Sequence, residues 1–103
     1  MTPIVLVREP GRTPLRILLG ADPLEIGRDC KGIILTDSRI SRRHLELHRS
    51  GNDVIAIDLG STNGSRVDDV PFTNSHHLQP GEVIQIGDTT ITLAYLPPHD
   101  AAG

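Results

Sequence analysis

The chain has 103 residues, enough for one compact domain with a modest core. Hydrophobic residues at 37% against 22% charged ones mark a folded globular chain and not a disordered one, and no apolar run approaches the roughly 20 residues of a membrane span. A net charge of −3 and an aromatic complement of only Phe72 and Tyr95 count against nucleic acid as a partner.

The first stretch, "MTPIVLVREPG", has neither a basic start nor a long apolar segment, so no secretion signal is expected. The lone Cys30 cannot close an internal disulfide, which suits a reducing cytoplasm. Short apolar runs then follow one another closely. Strands are expected over Ile4–Val7, Leu15–Leu19, Leu24–Gly27, Ile33–Leu35, His44–Arg49, Val54–Asp58, Ser65–Val67, Val83–Ile86 and Thr89–Leu96. The alternation of half-buried strands is clearest in "HLELH" and "TTITLAY". Turn signals separate the runs: Pro10-Gly11, Ser50-Gly51-Asn52, Asn63-Gly64, Asp68-Asp69, Pro80-Gly81 and Gly87-Asp88. His76-His77 is expected in a loop and not as a metal pair. No window sustains a helical period, so the fold expected is an all-β antiparallel sandwich or barrel. Residues 1–96 would form the domain, and residues 97–103, within "LPPHDAAG", a linker or tail.

The charge is unevenly placed. Six of the ten Lys and Arg lie between Arg28 and Arg49, and none follows Arg66. Clustered guanidinium groups repel unless an anion joins them. A small positive zone on an acidic background favours a compact anion over a long one. Three segments meet at strand ends: "LEIGRDC" with Gly27 and Arg28, "SRISRRH" with Ser41 and His44, and "DLGSTNGS" with Thr62, Asn63 and Gly64. They supply guanidinium forks, hydroxyls, an amide and a glycine turn that exposes backbone N–H groups. These are donors for a phosphate dianion, which only accepts. Thiolates, carboxylates or paired histidines in a metal-binding arrangement are missing from this set.

The order Gly-Arg, then Ser-x-x-His, then Asn-Gly after a strand resembles the forkhead-associated (FHA) domain, from about Ile4 to Leu96 and including "LQPGEVIQIGDTTITL". The resemblance implies an eleven-stranded β-sandwich of the FHA/SMAD-like kind, whose loops at one end bind phosphothreonine peptides without catalysis or cofactor. By that resemblance Arg28, Ser41 and Arg42 would hold the phosphate. Thr62 would line the pocket and Asn63 would clamp the peptide main chain. Arg39 would read an acidic flanking residue. Gly27, Gly64 and His44 would support the loops from behind. The implied partner is a threonine-phosphorylated protein in Ser/Thr kinase signalling, or the host chain itself, with no nucleic acid or membrane involved. Departures are Ser65 where many relatives have Thr, and Asp68-Asp69 where they have a second Asn-Gly.

Three rival readings remain. The same fold could bind a partner without phosphate. Ser41, His44 and Asp58 could form a hydrolytic triad, although Ile40-Ser41-Arg42 provides no nucleophile elbow. The arginine cluster could contact nucleic acid, against the charge and the few aromatics. Arg43 and Arg49 are expected to be solvated charges and Cys30 to be inert.

Overall fold

The computed structural model describes residues 2–96, so the expected linker at 97–103 lies outside the described residues. These residues form eleven strands: β1 (Ile4–Arg8), β2 (Leu15–Leu18), β3 (Leu24–Gly27), β4 (Ile33–Ile34), β5 (Leu45–Ser50), β6 (Asp53–Asp58), β7 (Ser65–Val67), β8 (Val70–Phe72), β9 (Ser75–Leu78), β10 (Val83–Ile86) and β11 (Thr89–Tyr95). One sheet has the order β2-β1-β11-β10-β7-β8 and the other β4-β3-β5-β6-β9. Every pairing with a recorded register is antiparallel except β3 with β4, which is parallel. The sandwich is therefore antiparallel with one parallel edge pair.

Alternation decides which side chains enter the core. Val5 and Val7 of β1, Leu45 and Leu47 of β5, Val54 and Ala56 of β6, Ile84 and Ile86 of β10, and Ile91 and Leu93 of β11 point inward and are buried. With hardly any aromatics, β-branched and leucine side chains fill the space between the sheets.

Turn chemistry sets the register. Ser50 pairs with Asp53 around Gly51-Asn52, and Ile86 with Thr89 around Gly87-Asp88. Gly51 and Gly87 take the positive φ that such tight hairpins need. The β7–β8 turn places two L residues there instead: Asp68 at φ 48 and Asp69 at φ 70.

Two strands were not expected. "VPF" forms β8 and "SHHL" forms β9, so His76-His77 belongs to a strand pairing with β6 and not to a loop. Both are outermost strands, one in each sheet. An edge strand tolerates Pro71 because one row of its backbone groups goes unpaired, and histidines suit a face open to water. Consecutive strand residues face opposite sides. His76 stacks obliquely on Phe72, with ring centroids 5.6 Å apart, while His77 reaches Asp53 at 3.3 Å.

Candidate functional site: a loop cup at one end of the sandwich

The loops after β3, β4 and β6 converge, and a glycine makes the closest approach possible. A Cβ on Gly27 would stand 2.0 Å from the Arg42 carbonyl oxygen and 2.7 Å from its carbon. With hydrogen there instead, the chain after β3 lies directly against the Ser41–Arg42 peptide. Arg28 N–H donates to Ser41 O at 3.1 Å and Asp29 N–H to Arg42 O at 3.0 Å. The Arg28 Nε–H donates to Ile40 O at 2.5 Å, which fixes the guanidinium and leaves its two terminal NH₂ groups to a ligand.

Ser41 joins the second loop to the third. Its Oγ accepts from Thr62 N–H at 2.9 Å, so its own proton remains available to donate. Asn63 Nδ2 donates to Arg39 O at 2.8 Å, while its amide oxygen keeps acceptor capacity. Gly64, at φ +81, turns the chain into β7. Arg28, Ser41, Thr62, Asn63 and Gly64 are thereby assembled by direct hydrogen bonds or sequence adjacency. Arg42 is exposed and has no ion-pair partner among the described residues. Arg43, by contrast, forms a two-point pair with Glu25, at 2.8 and 3.3 Å, so it is bound and not merely solvated. Arg49 likewise engages Gly51 O through Nε at 3.1 Å.

His44 is fully buried beneath the cup. Its Nδ1 accepts from Ser41 N–H at 3.1 Å. A backbone N–H can only donate, so the ring proton sits on Nε2, which donates to Gly64 O at 2.8 Å. This geometry excludes the triad. Ser41 Oγ faces Thr62 N–H and not the imidazole, and Asp58 Oδ2 is 4.0 Å from Nε2.

Two carboxylates that composition does not single out organise the loops. Asp58 accepts from Gly60 N–H, Ser61 N–H, Ser61 Oγ–H and Ser65 Oγ–H, at 2.6 to 2.9 Å. Burial alone would raise its pKa, but the Ser65 and Ser61 donors outweigh it and hold the carboxyl below its usual value. Ser65 can fill the position more common to Thr because its hydroxyl serves as that donor. Asp37 accepts from Arg39 N–H at 3.0 Å, Asp88 N–H at 2.7 Å and Thr89 Oγ–H at 3.0 Å, tying the Ser41 loop to the β10–β11 turn. Its pKa is lowered in the same way, its donors outweighing burial. Only the Asp-x-Arg spacing of a local side-chain turn hinted at this.

Beside the cup, Arg39, Asn63, Arg66, Pro71 and Gln85 line a groove of about 380 Å³. Arg39 also stands 3.7 Å from Asp88, with both side chains exposed, a pairing worth little in water.

Comparison with known proteins follows the geometry. The FHA domain profile matches residues 24–87, a span holding all three loops of the cup. Over 90 residues, 86% of this chain, it is 38% identical to the FHA domain-containing protein FhaB of Mycobacterium tuberculosis, of which it spans 58%. The chain thus covers little more than half the length of such curated relatives. A domain solved in work on phosphothreonine-dependent FHA domain interactions superposes with a TM-score of 0.80 at 30% identity, covering 92% of this chain and 99% of that one. Mycobacterium tuberculosis EmbR, in complex with a low affinity phosphopeptide, superposes at 0.72 and 27% identity over 86% of this chain and 24% of EmbR. With the eleven strands, the three-loop cup and these matches in agreement, the chain belongs to the forkhead-associated domain family.

Proposed function

We propose that this chain is a phosphothreonine-binding module that recruits a phosphorylated protein and catalyses nothing itself. The observation that carries the reading is the pairing of Arg28 and Ser41 across two loops, each anchored so that its remaining donors are available. The terminal NH₂ groups of Arg28, the Ser41 hydroxyl and the exposed Arg42 side chain bind the phosphate oxygens. Thr62 borders the phosphate, and Asn63, held by Arg39 O, presents its amide to the peptide main chain. Arg39 reads an acidic flanking residue from the adjoining groove.

Charge-assisted hydrogen bonds contribute roughly 1.5–3 kcal/mol each. Three or four of them, less the ordering of a flexible peptide, leave about −7 to −9 kcal/mol, or micromolar affinity. Such affinity suits reversible signalling in the cytoplasm. Residues 1–96 would be the module and 97–103 a linker or tail, in keeping with curated relatives of which the chain spans 58%. The phosphothreonine could then come from a kinase substrate or from the host protein.

The test is fluorescence anisotropy with matched phosphothreonine, phosphoserine and unmodified peptides. Arg28→Ala should weaken the phosphothreonine complex by roughly 2–5 kcal/mol. Affinity should also fall between pH 7.5 and 5.5 as the phosphate gains its second proton, with pKa near 6. Binding that survives phosphatase treatment of the partner assigns the fold to phosphate-independent recognition instead.

A further inference from the structure

The two edges of the six-stranded sheet are built differently. Edge strand β8 has Pro71 at its centre, which cannot donate to an added strand. Edge strand β2, Leu15-Arg16-Ile17-Leu18, contains no proline and, among the described residues, pairs only with β1. One row of its backbone donors and acceptors therefore faces outward, the usual template for strand addition.

The register of β2 on β1 says what such a strand would carry. Leu15 opposes Val7 and Ile17 opposes Val5, both buried, so Leu15 and Ile17 share the inner face. Leu15 is nevertheless 45% exposed, and Ile34 on the neighbouring edge of the other sheet is 62% exposed. Together with Val7, Glu9, Arg12 and Leu35 they line an open groove of about 450 Å³ between the sheet edges. On the outer face, Arg16 opposes Leu6, and Arg8 also points outward from the end of β1. Arg8 and Arg16 have no ion-pair partner among the described residues. The one carboxylate of this hairpin, Glu9, is buried and accepts from Thr36 N–H at 2.8 Å, from the Thr36 hydroxyl and from Arg12.

We propose that β2 and its groove are a second docking surface, taking an extended segment of a partner protein in which apolar and acidic residues alternate. Apolar positions enter the groove against Leu15 and Ile34. Acidic positions lie beside Arg16 on the outer face, a cross-strand pairing of opposite charge. The surface needs no phosphate, so it goes beyond the cup. It adjoins the cup's loop all the same, because Thr36, held by Glu9, precedes Ser41 by five residues. One partner could therefore engage both.

The probe is a nine-residue peptide of alternating valine and glutamate, titrated into the ¹⁵N-labelled chain, with a peptide of the same composition in two blocks as control. The alternating peptide should bind with Kd below about 1 mM, at least about tenfold tighter than the blocked one, and slow exchange of the Leu15–Leu18 amides. Arg16→Glu and Ile34→Glu should each abolish the difference. Binding of a phosphothreonine peptide, measured alongside, reports separately that these variants are folded. Equal binding of both peptides, no shift at β2 up to about 5 mM, or a gain surviving both variants overturns the proposal. Self-association of the chain, or pelleting with phosphatidylserine vesicles, that Arg16→Glu removes would overturn it too, giving the edge to a second copy or to a membrane.

Discussion

Replacing Gly27 with alanine tests whether backbone contact and not side-chain chemistry builds the cup. The added Cβ would lie 2.0 Å from Arg42 O, about 1 Å inside any tolerable approach, and the obstacle is backbone that cannot swing aside. Either β3 or the Ser41–Arg42 peptide must move, and the bonds from Arg28 N–H and Asp29 N–H stretch as it does. Overpacking of this kind typically costs about 1–3 kcal/mol, and each of the two stretched backbone bonds about 0.5 kcal/mol, which places the loss at roughly 2–4 kcal/mol. For a domain near 100 residues that lowers Tm by about 10–25 °C. The displaced Arg28 and Ser41 should also lose phosphothreonine peptide in an anisotropy titration. Gly20→Ala is the control, since nothing lies within 4 Å of its Cβ and its φ is ordinary. Gly27→Ala with unchanged Tm and full affinity would refute the reasoning.

Three other outcomes follow from the same contacts. Arg42→Ala should weaken phosphothreonine binding about tenfold or more, while Arg43→Ala changes it less than about threefold, because only Arg43 is already paired with Glu25; equal losses by calorimetry would contradict the assignment. His44→Ala should destabilise by about 3 kcal/mol in urea unfolding, since Ser41 N–H and Gly64 O lose their buried partner, and a loss under about 1 kcal/mol would discount the ring as a brace. Asp37 and Asp58 have folded pKa values below their ordinary 3.8, so their contribution is complete well above that value and disappears as pH falls through the lowered ones. Urea midpoints should hold from pH 7 to 5 and drop below about pH 4, less steeply in Asp58→Asn; a wild-type midpoint flat to pH 3 would exclude the effect.

The sequence made the interior strands legible because both physical signals agreed there. In β5, β6, β10 and β11 one face is buried and the other wet, so hydrophobic alternation and hairpin turns point to the same boundaries. At the edges the signals part. β8 holds a proline and β9 two histidines, residues that an outermost strand accepts and a buried one does not, so neither strand is expected and His76-His77 reads as a loop. The cup shows a parallel division. Arg28, Ser41, Thr62 and Asn63 stood out through donor chemistry and their order along the chain. Asp37 did not stand out, and Asp58 did so only as a triad member, because a carboxylate serving backbone N–H groups and hydroxyls shows no such partners until the chain folds. Gly32 was silent for a related reason: a Cβ there would lie 2.1 Å from Glu25 O, a contact with no local signature.

The arginine cluster is held by specific partners rather than left to repel. Glu25 neutralises Arg43 from the side of the sheet, Asp88 stands near Arg39, and Ile40 O fixes Arg28 through Nε. Among the described residues, no partner is recorded for the terminal nitrogens of Arg28 or the side chain of Arg42. These two are within reach of Ser41 by sequence adjacency or direct backbone bonding. The loops carrying them are bound to one another through Ser41, His44, Asp37 and Asp58, so their order does not depend on a ligand. Association then has to order the incoming peptide but not the protein, and more of the charge-assisted bonding appears as affinity. A cup organised this way also explains an acidic chain with a cationic site. The carboxylates behind the loops fix their geometry and cancel the surplus charge, while the donors in front keep theirs available to an anion.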